Sequence, residues 1–390
     1  MPLKPSILKG VESILGAKKV DKFLNEKEDY LIVEDSSGRV RISNKTTFNN
    51  FSPSHYVSGI VAAIKGHLDE KGVMVMEDIC FHIAGDYSFQ LNTKHESLLK
   101  TNSRLIAIVS GLQFGLEDKS HSHFNKLVFL RNLLLDFFQN EDNNSIASRI
   151  DKLIIAGNTI YAPDDTDLVE KGSYLKQDLN NRIYRTLINN YNLADEYLDK
   201  LSHAIHIDLM PGVDDNSSSL FPQQSVNKIM YPNTCANDSI NLVSNPYRFS
   251  IDGIDILGTS GQNVDNIRKF SSYSYPTEIL EKTIEWGHIA PSAPDTLRTY
   301  PFSDEDPLIL KSMPNIYFAG NQKNYETKII NYINSPIRLI SIPDIVTSGV
   351  FEHDTFDQVA NRLAAIGDGF HQLIDGLELD QLTHILLVPE

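Results

Sequence analysis

At 390 residues, with 41% hydrophobic and 22% charged residues, the chain has the make-up of an ordinary globular protein with room for two unequal domains. Its net charge of -16 argues against a chain that grips DNA by itself, because phosphate binding needs clustered Lys and Arg; the same field favours a basic protein partner. No apolar run is long enough to cross a bilayer and no leader pattern opens the chain, while Cys80 and Cys235 have no metal spacing and suit a reducing compartment, cytosol or nucleus.

In chain order, Ser6 to Ile14 reads as a short amphipathic helix. Tyr30 to Asp35 and Arg39 to Ile42 flank Ser36-Ser37-Gly38 as a hairpin. Tyr56 to Ile64 and Val73 to Phe81 form a second β pair, separated by Gly66 and a turn at Asp69-Glu70-Lys71-Gly72. Short strands with tight turns point to a small β-barrel. From Arg104 the texture changes. Leu105 to Val109 and Leu153 to Ala156 are apolar runs of buried-strand type, ending in Ser110-Gly111 and Gly157-Asn158. Helices are predicted over Leu127 to Phe138 and Tyr174 to Leu201, with a strand from Ala204 to Leu209 and later strands at Ile254 to Gly258, Ile316 to Ala319 and Arg338 to Ile342. Strands alternating with helices predict an α/β sandwich.

Six loop motifs are long enough to be specific. They are Asp208-Leu209-Met210-Pro211-Gly212, Phe221-Pro222-Gln223-Gln224, Leu242 to Tyr247, Gly258-Thr259-Ser260-Gly261-Gln262-Asn263, Ile289 to Leu297 and Tyr317-Phe318-Ala319-Gly320-Asn321. In order and spacing they resemble the small, or B, regulatory subunit family of DNA polymerase delta, over about Met1 to Val350. The resemblance implies an α/β plus β fold: an inactive two-sheet sandwich of the calcineurin-like phosphoesterase type at 103–350, behind an OB-like barrel at 1–95. That barrel looks incomplete, with its first strands missing, and 351–390 reads as an atypical C-terminal extension in which Ile385 to Val388 supplies a closing strand.

A working phosphoesterase of that kind holds two metals with Asp and His on the loops after its strands. At the matching positions this chain has Ser110 in place of Asp-x-His, Asn158 after Gly157, Pro211 within Met210-Pro211-Gly212-Val213, and Asn321 within Gly320-Asn321-Gln322-Lys323. Amides and hydroxyls do not supply the charge of a dinuclear site, and Lys323 opposes a cation. Catalysis, metal and cofactor are therefore all expected to be absent.

Other residues invite a functional reading. His121 and His123 have the spacing of a metal pair but read as a polar loop ahead of a helix, and His203 and His206 read as structural residues on opposite sides of a strand. Asp214 and Asp215 could join Asp208 around a cation, but read as solvated loop acids. Gly258 to Gly261 lacks the Lys of a phosphate loop and reads as a tight turn. Trp286 follows Ile279, Leu280, Thr283 and Ile284 at helical spacing, hence core; Pro291 to Pro301 reads as a rigid loop crossing the domain surface, a candidate interface. Val359, Leu363, Ile366, Gly367, Asp368 and Phe370 have the pattern of a helix for a Bcl-2-like groove, or of an ordinary packed helix.

By resemblance, the function is that of a non-catalytic, nuclear accessory subunit of DNA polymerase delta in replication and repair. Its partners are the Cys-rich C-terminal domain of the catalytic subunit and a third subunit, with DNA met only indirectly and no membrane. Two alternatives stand beside it: a metal-dependent phosphoesterase or nuclease, and the corresponding small subunit of another B-family polymerase such as alpha or epsilon.

Overall fold

The computed structural model describes residues 22–25, 28–43, 51–82, 105–116, 122–135, 150–162, 176–251, 253–333, 335–346 and 384–387. The N-terminal helix expected at Ser6 to Ile14 and the amphipathic set at 359–370 lie outside these residues.

Two antiparallel ribbons form the N-terminal region. β1 (Ile32–Glu34) pairs with β2 (Arg39–Arg41), and the turn between them is closed by Asp35, which accepts from the Ser37 and Gly38 N–H groups. β3 (Ala62–Leu68) pairs with β4 (Met74–Phe81) across a turn in which Asp69 Oδ1 accepts from the Lys71 and Val73 N–H groups. Ile42 bridges to Met74 and joins the ribbons over a small core of Ile42 and Met76. Two expectations fail here. Residues 56–61 are not strand, because a 3-10 turn at Pro53–His55 and a left-handed Gly59 occupy the chain until Ala62. Gly66 does not end its strand either: it sits at an irregularity inside β3, where a Cβ would lie 2.3 Å from the Val75 carbonyl oxygen.

The larger region is built on two five-stranded sheets. One is wholly parallel, in the order β14 (His384–Leu387), β5 (Leu105–Val109), β6 (Ile150–Ala156), β7 (His206–Met210), β8 (Ile240–Leu242). The other runs β12 (Glu326–Tyr332), β13 (Ser335–Pro343), β11 (Ile316–Gln322), β10 (Ile254–Thr259), β9 (Tyr247–Ile251); its three central strands are parallel and its edges antiparallel. Strand side chains alternate between faces, so each sheet fills two cores at once. Ile106, Ile108, Ile154 and Met210 meet Ile256, Phe318, Ile340 and Ile342 between the sheets. On the far side of the first sheet, Ala107, Val109, Leu153, Ile155 and Leu209 pack under α1 (Ser122–Leu134) and α2 (Lys176–Ser202). On the far side of the second, Leu257, Tyr317, Ala319 and Leu339 pack under α3 (Gln262–Phe270) and α4 (Pro276–Glu285), with Trp286 3% exposed among them. The result is four layers, helix, sheet, sheet, helix. The C-terminal strand falls beside β5, with Ile385 opposite Ile106.

One buried acid ties the two sheets. Asp208 on β7 accepts from Lys152 Nζ (2.7 Å) on β6, Asn241 Nδ2 (3.0 Å) on β8 and the Tyr247 hydroxyl (3.1 Å) on β9. Fully paired in this way, it is not available to a cation with Asp214 and Asp215. Tyr247→Phe is expected to cost about 1.5–3 kcal/mol in urea unfolding, the usual worth of a hydrogen bond to a charged group.

The N-terminal region is fastened to the second sheet's helices. Lys22 Nζ donates to the carbonyls of Ser271, Ser272 and Tyr273 just past the end of α3, where the helix dipole favours a cation. Phe23 stacks on Phe270, and the Ser272 N–H donates to the Ser54 carbonyl (2.9 Å). Val57 enters the core around Trp286, and Gly59 lies against Pro291. Pro291 and Ser292 are buried, so the proline-rich segment starts inside the molecule and reaches the surface only later.

Candidate functional site

Five parallel strands from the two sheets end at one place. This is where an α/β protein presents its loops to a ligand. The residues there are Ser110 after β5, Gly157 and Asn158 after β6, Pro211 and Gly212 after β7, Ser260 after β10, and Gly320 and Asn321 within β11.

These residues bond to one another. Ser110 Oγ donates to the Pro343 carbonyl (3.0 Å) and accepts from the Asn321 N–H (2.9 Å). Asn321 Nδ2 donates to the carbonyls of Ala156 and Ser260, both at 3.0 Å. Asn158 Oδ1 accepts from the Asp214 N–H (3.3 Å). Asn245, in the loop before β9, donates through Nδ2 to Ser260 Oγ (2.6 Å) and Gln223 Oε1 (2.9 Å) and accepts from the Ser260 N–H (3.1 Å). Gln223 Nε2 returns to the Gly212 carbonyl (2.9 Å). Every bond in this set is between neutral groups.

The loops also touch. A Cβ on Gly157 would lie 2.6 Å from that of Ser260 and 2.9 Å from the Gly212 Cα, and one on Gly320 would lie 2.5 Å from the Ala156 carbonyl oxygen. Glycine is needed there because the loops close on each other. Asn158 and Asn321 both adopt φ 54°, a left-handed backbone that asparagine accepts more readily than most residues. Asn321→Asp is expected to lower stability by about 2 kcal/mol, because a carboxylate oxygen would then face two carbonyls in a half-buried position. Thermal unfolding measures it, and added Mn²⁺ is expected to leave the loss unrepaired.

Asp344, just after β13, bridges to Ser110, while Asp215 brings a carboxylate to the site and is not a solvated loop acid. It is buried, and it accepts from the N–H groups of Thr159 (3.2 Å), Ile160 (3.0 Å) and Gly212 (2.8 Å). Burial outweighs these three bonds and pushes its carboxyl up to about 6. It thus pins the loop after β7 to the loop after β6. Among the described residues no group of three or more His, Cys, Asp or Glu side chains is placed to hold a metal ion.

Two family models match the chain. The model for the DNA polymerase alpha/epsilon B subunit covers residues 106–328, and that of the DNA polymerase delta subunit OB-fold domain covers residues 1–79. The DNA polymerase delta small subunit of Oryza sativa subsp. japonica is 32% identical over 358 residues, spanning 90% of this chain and 77% of that protein. The protein of the same name from Saccharomyces cerevisiae is 29% identical over 385 residues, 90% and 74% of the two chains. A DNA polymerase II small subunit from Methanothermobacter thermautotrophicus is 23% identical over 269 residues, 66% and 51%. The chain belongs to the DNA polymerase delta small-subunit family.

Within this small-subunit chain, the remaining candidates scatter. His123 is buried in the first turn of α1, which starts at Ser122 and so replaces the expected polar loop; its Nε2 lies 3.2 Å from the Gln113 carbonyl oxygen. His121 lies outside the described residues. His203 sits in the turn after α2, near Asp199 (3.7 Å), rather than on a strand, and His206 is exposed at the start of β7. Gly258 to Gly261 ends β10 and, through a left-handed Gly261, opens α3. Lys323 is exposed, and its charge acts on Asp265. Sequence reasoning missed Asn245 and Gln223 as members of the network. Their signal was present, since both stand in loop motifs already marked as specific.

Proposed function

We propose that the chain is the non-catalytic accessory subunit of a DNA polymerase delta, a scaffold that holds the catalytic subunit and a third subunit for replication and repair. What carries the reading is the closed set of neutral bonds at the strand ends. A pair of divalent ions needs several anionic or imidazole ligands. Here Ser110, Asn158, Pro211 and Asn321 offer a hydroxyl, two amides and a ring with no N–H; the Ser110 hydroxyl, Asn158 Oδ1 and Asn321 Nδ2 are already bonded, and the one oxygen left unpaired, Asn321 Oδ1, is a neutral amide oxygen. The residues do not fit two metal ions.

In this reading the two-sheet body is a calcineurin-like phosphoesterase that has kept its architecture and lost its metal site. Residues 1–95, 103–350 and 351–390 are then the OB-like, phosphoesterase-like and C-terminal parts. The OB-like and phosphoesterase-like parts act as one platform through Lys22, Phe23, Ser54 and Gly59. The partner surface on the catalytic subunit is its Cys-rich C-terminal domain, and the place of action is the nucleus. The net charge of -16 supports assembly with a basic protein over direct contact with DNA.

Co-expression with the catalytic subunit's C-terminal domain tests the assembly. The two are expected to elute as one species from a sizing column. Separate elution at micromolar concentration would remove the scaffold reading.

A further inference from the structure

Residues 300–308 carry features that the scaffold reading leaves unused. Tyr300 and Phe302 are 55% and 49% exposed, with their rings 5.0 Å apart edge to face. The segment is anchored at one end by the Tyr300 N–H, which donates to the Phe221 carbonyl (3.2 Å), and at the other by buried Leu308. Between them residues 301–307 are all exposed and belong to no helix or strand. Ser303 stands in the middle, followed directly by Asp304, Glu305 and Asp306. No other serine or threonine in the chain precedes three consecutive acids.

We propose that Ser303 is a phosphoacceptor for a serine kinase with a basic substrate groove. Kinases choose substrates largely by charge pattern, and three carboxylates directly after the acceptor are the pattern such a groove reads. A kinase also needs an extended backbone. A segment outside the sheets, whose own backbone–backbone bonds are Phe302 N–H to Tyr300 and Ile309 N–H to Asp306, can be drawn out at small cost. The acids are held by contacts a basic groove can displace. Asp304 accepts from Ser303 Oγ (3.0 Å), Glu305 pairs with Lys311 (2.5 Å), and Asp306 pairs with His288 (2.9 Å) and caps the Leu308 N–H (2.9 Å). The Glu305–Lys311 pair is exposed, and exposed ion pairs are worth about 0–1 kcal/mol.

The step balances with ATP as the donor. Ser303 Oγ attacks the γ-phosphorus, and the bond from that phosphorus to the β,γ-bridging oxygen breaks. ADP leaves with the electron pair, and the hydroxyl proton passes to the kinase's carboxylate base. The product adds a charge of about -1.5 to -2 next to the exposed ring pair. Lys311, now on Glu305, is near enough in sequence to turn toward it. A surface that offers two aromatic rings to a partner would thereby change its charge without any change of fold.

The full chain, incubated with an acidophilic kinase of the casein type and ATP, tests this by peptide mass spectrometry. Phosphate is expected on Ser303 and is expected to vanish from that peptide in Ser303→Ala. A second variant, Asp304→Asn with Glu305→Gln and Asp306→Asn, keeps the acceptor and is expected to slow its modification by about tenfold or more in kcat/KM, the equivalent of at least one lost charge contact. Unfolding curves matching wild type show that each variant is folded. No phosphate on Ser303 of the wild-type chain, or modification that ignores the loss of the three carboxylates, would overturn the proposal.

Discussion

Replacing Asp215 by Ala is expected to cost about 4 kcal/mol of unfolding free energy at neutral pH. The mutation orphans three buried N–H groups at once, on Thr159, Ile160 and Gly212, and each such orphan costs about 1–3 kcal/mol. It also cuts the tie between the loops after β6 and β7, so local opening there should rise before global unfolding does. Denaturant unfolding gives the free energy and amide exchange at 157–160 locates it. A loss under about 1 kcal/mol would mean that water reaches these groups in the native state.

The same carboxyl makes a pH prediction. Its folded value of about 6 lies above the ordinary 3.8, so between these values the folded protein keeps a proton that the unfolded chain has released. The stability linked to that proton is complete below the lower value and is lost as pH rises through the upper one. Asp215→Asn has no such proton. Wild type is therefore expected to lose about 2.4 kcal/mol relative to Asp215→Asn between pH 4 and pH 7. A flat difference would place the native carboxyl at an ordinary value.

The second large effect is at Gly59. Its φ of +88° is a conformation that side chains resist, and a Cβ there would stand 1.9 Å from the Pro291 carbonyl oxygen. Gly59→Val combines the two faults, and neither backbone can give way without breaking the contact. The expected cost is about 4 kcal/mol, of which the left-handed strain accounts for roughly 1–2. The N-terminal ribbons should then separate from α3 and α4 and become sensitive to protease while the two-sheet body stays protected. Gly72→Ala is the control. Its φ is +73° but nothing lies within 4 Å of the added carbon, so it should show the strain alone, about 1 kcal/mol, with the ribbons still docked.

What could be seen in the sequence follows from where each strand lies. Leu105 to Val109 and Leu153 to Ala156 are covered on both faces, so they read as unbroken apolar runs. β8, β9 and β12 were not foreseen. They are short or edge strands in which Asn241, Arg248, Ser250, Lys328 and Asn331 break the apolar pattern on the wet side. α3 escaped notice for a related reason: Asn263 and Asn266 are buried polar residues, and Asn263 Nδ2 donates to the Ile289 carbonyl (2.9 Å) instead of to water. An amide that is core in the fold looks like loop in the sequence.

The site divides in the same way. The residue types at Ser110, Asn158, Pro211 and Asn321 could be read along the chain, as could their unsuitability for two metals. Their bonds to each other could not, since Ser110 and Asn321 are 211 residues apart and Asn321 and Ala156 are 165 apart. Asp215 was misjudged because Val213-Asp214-Asp215-Asn216-Ser217 has the composition of a solvated turn. Only the return of that turn onto Thr159 and Ile160 makes its carboxylate a buried acceptor.

Titration calorimetry with Mn²⁺ on the purified full chain probes the claim that the strand ends do not hold a pair of metal ions. No saturable heat is expected, and variants at Asn158 and Asn321 should change nothing in the trace. Binding of two ions per chain, abolished by Asn158→Ala or Asn321→Ala, would contradict it and return the fold to catalysis.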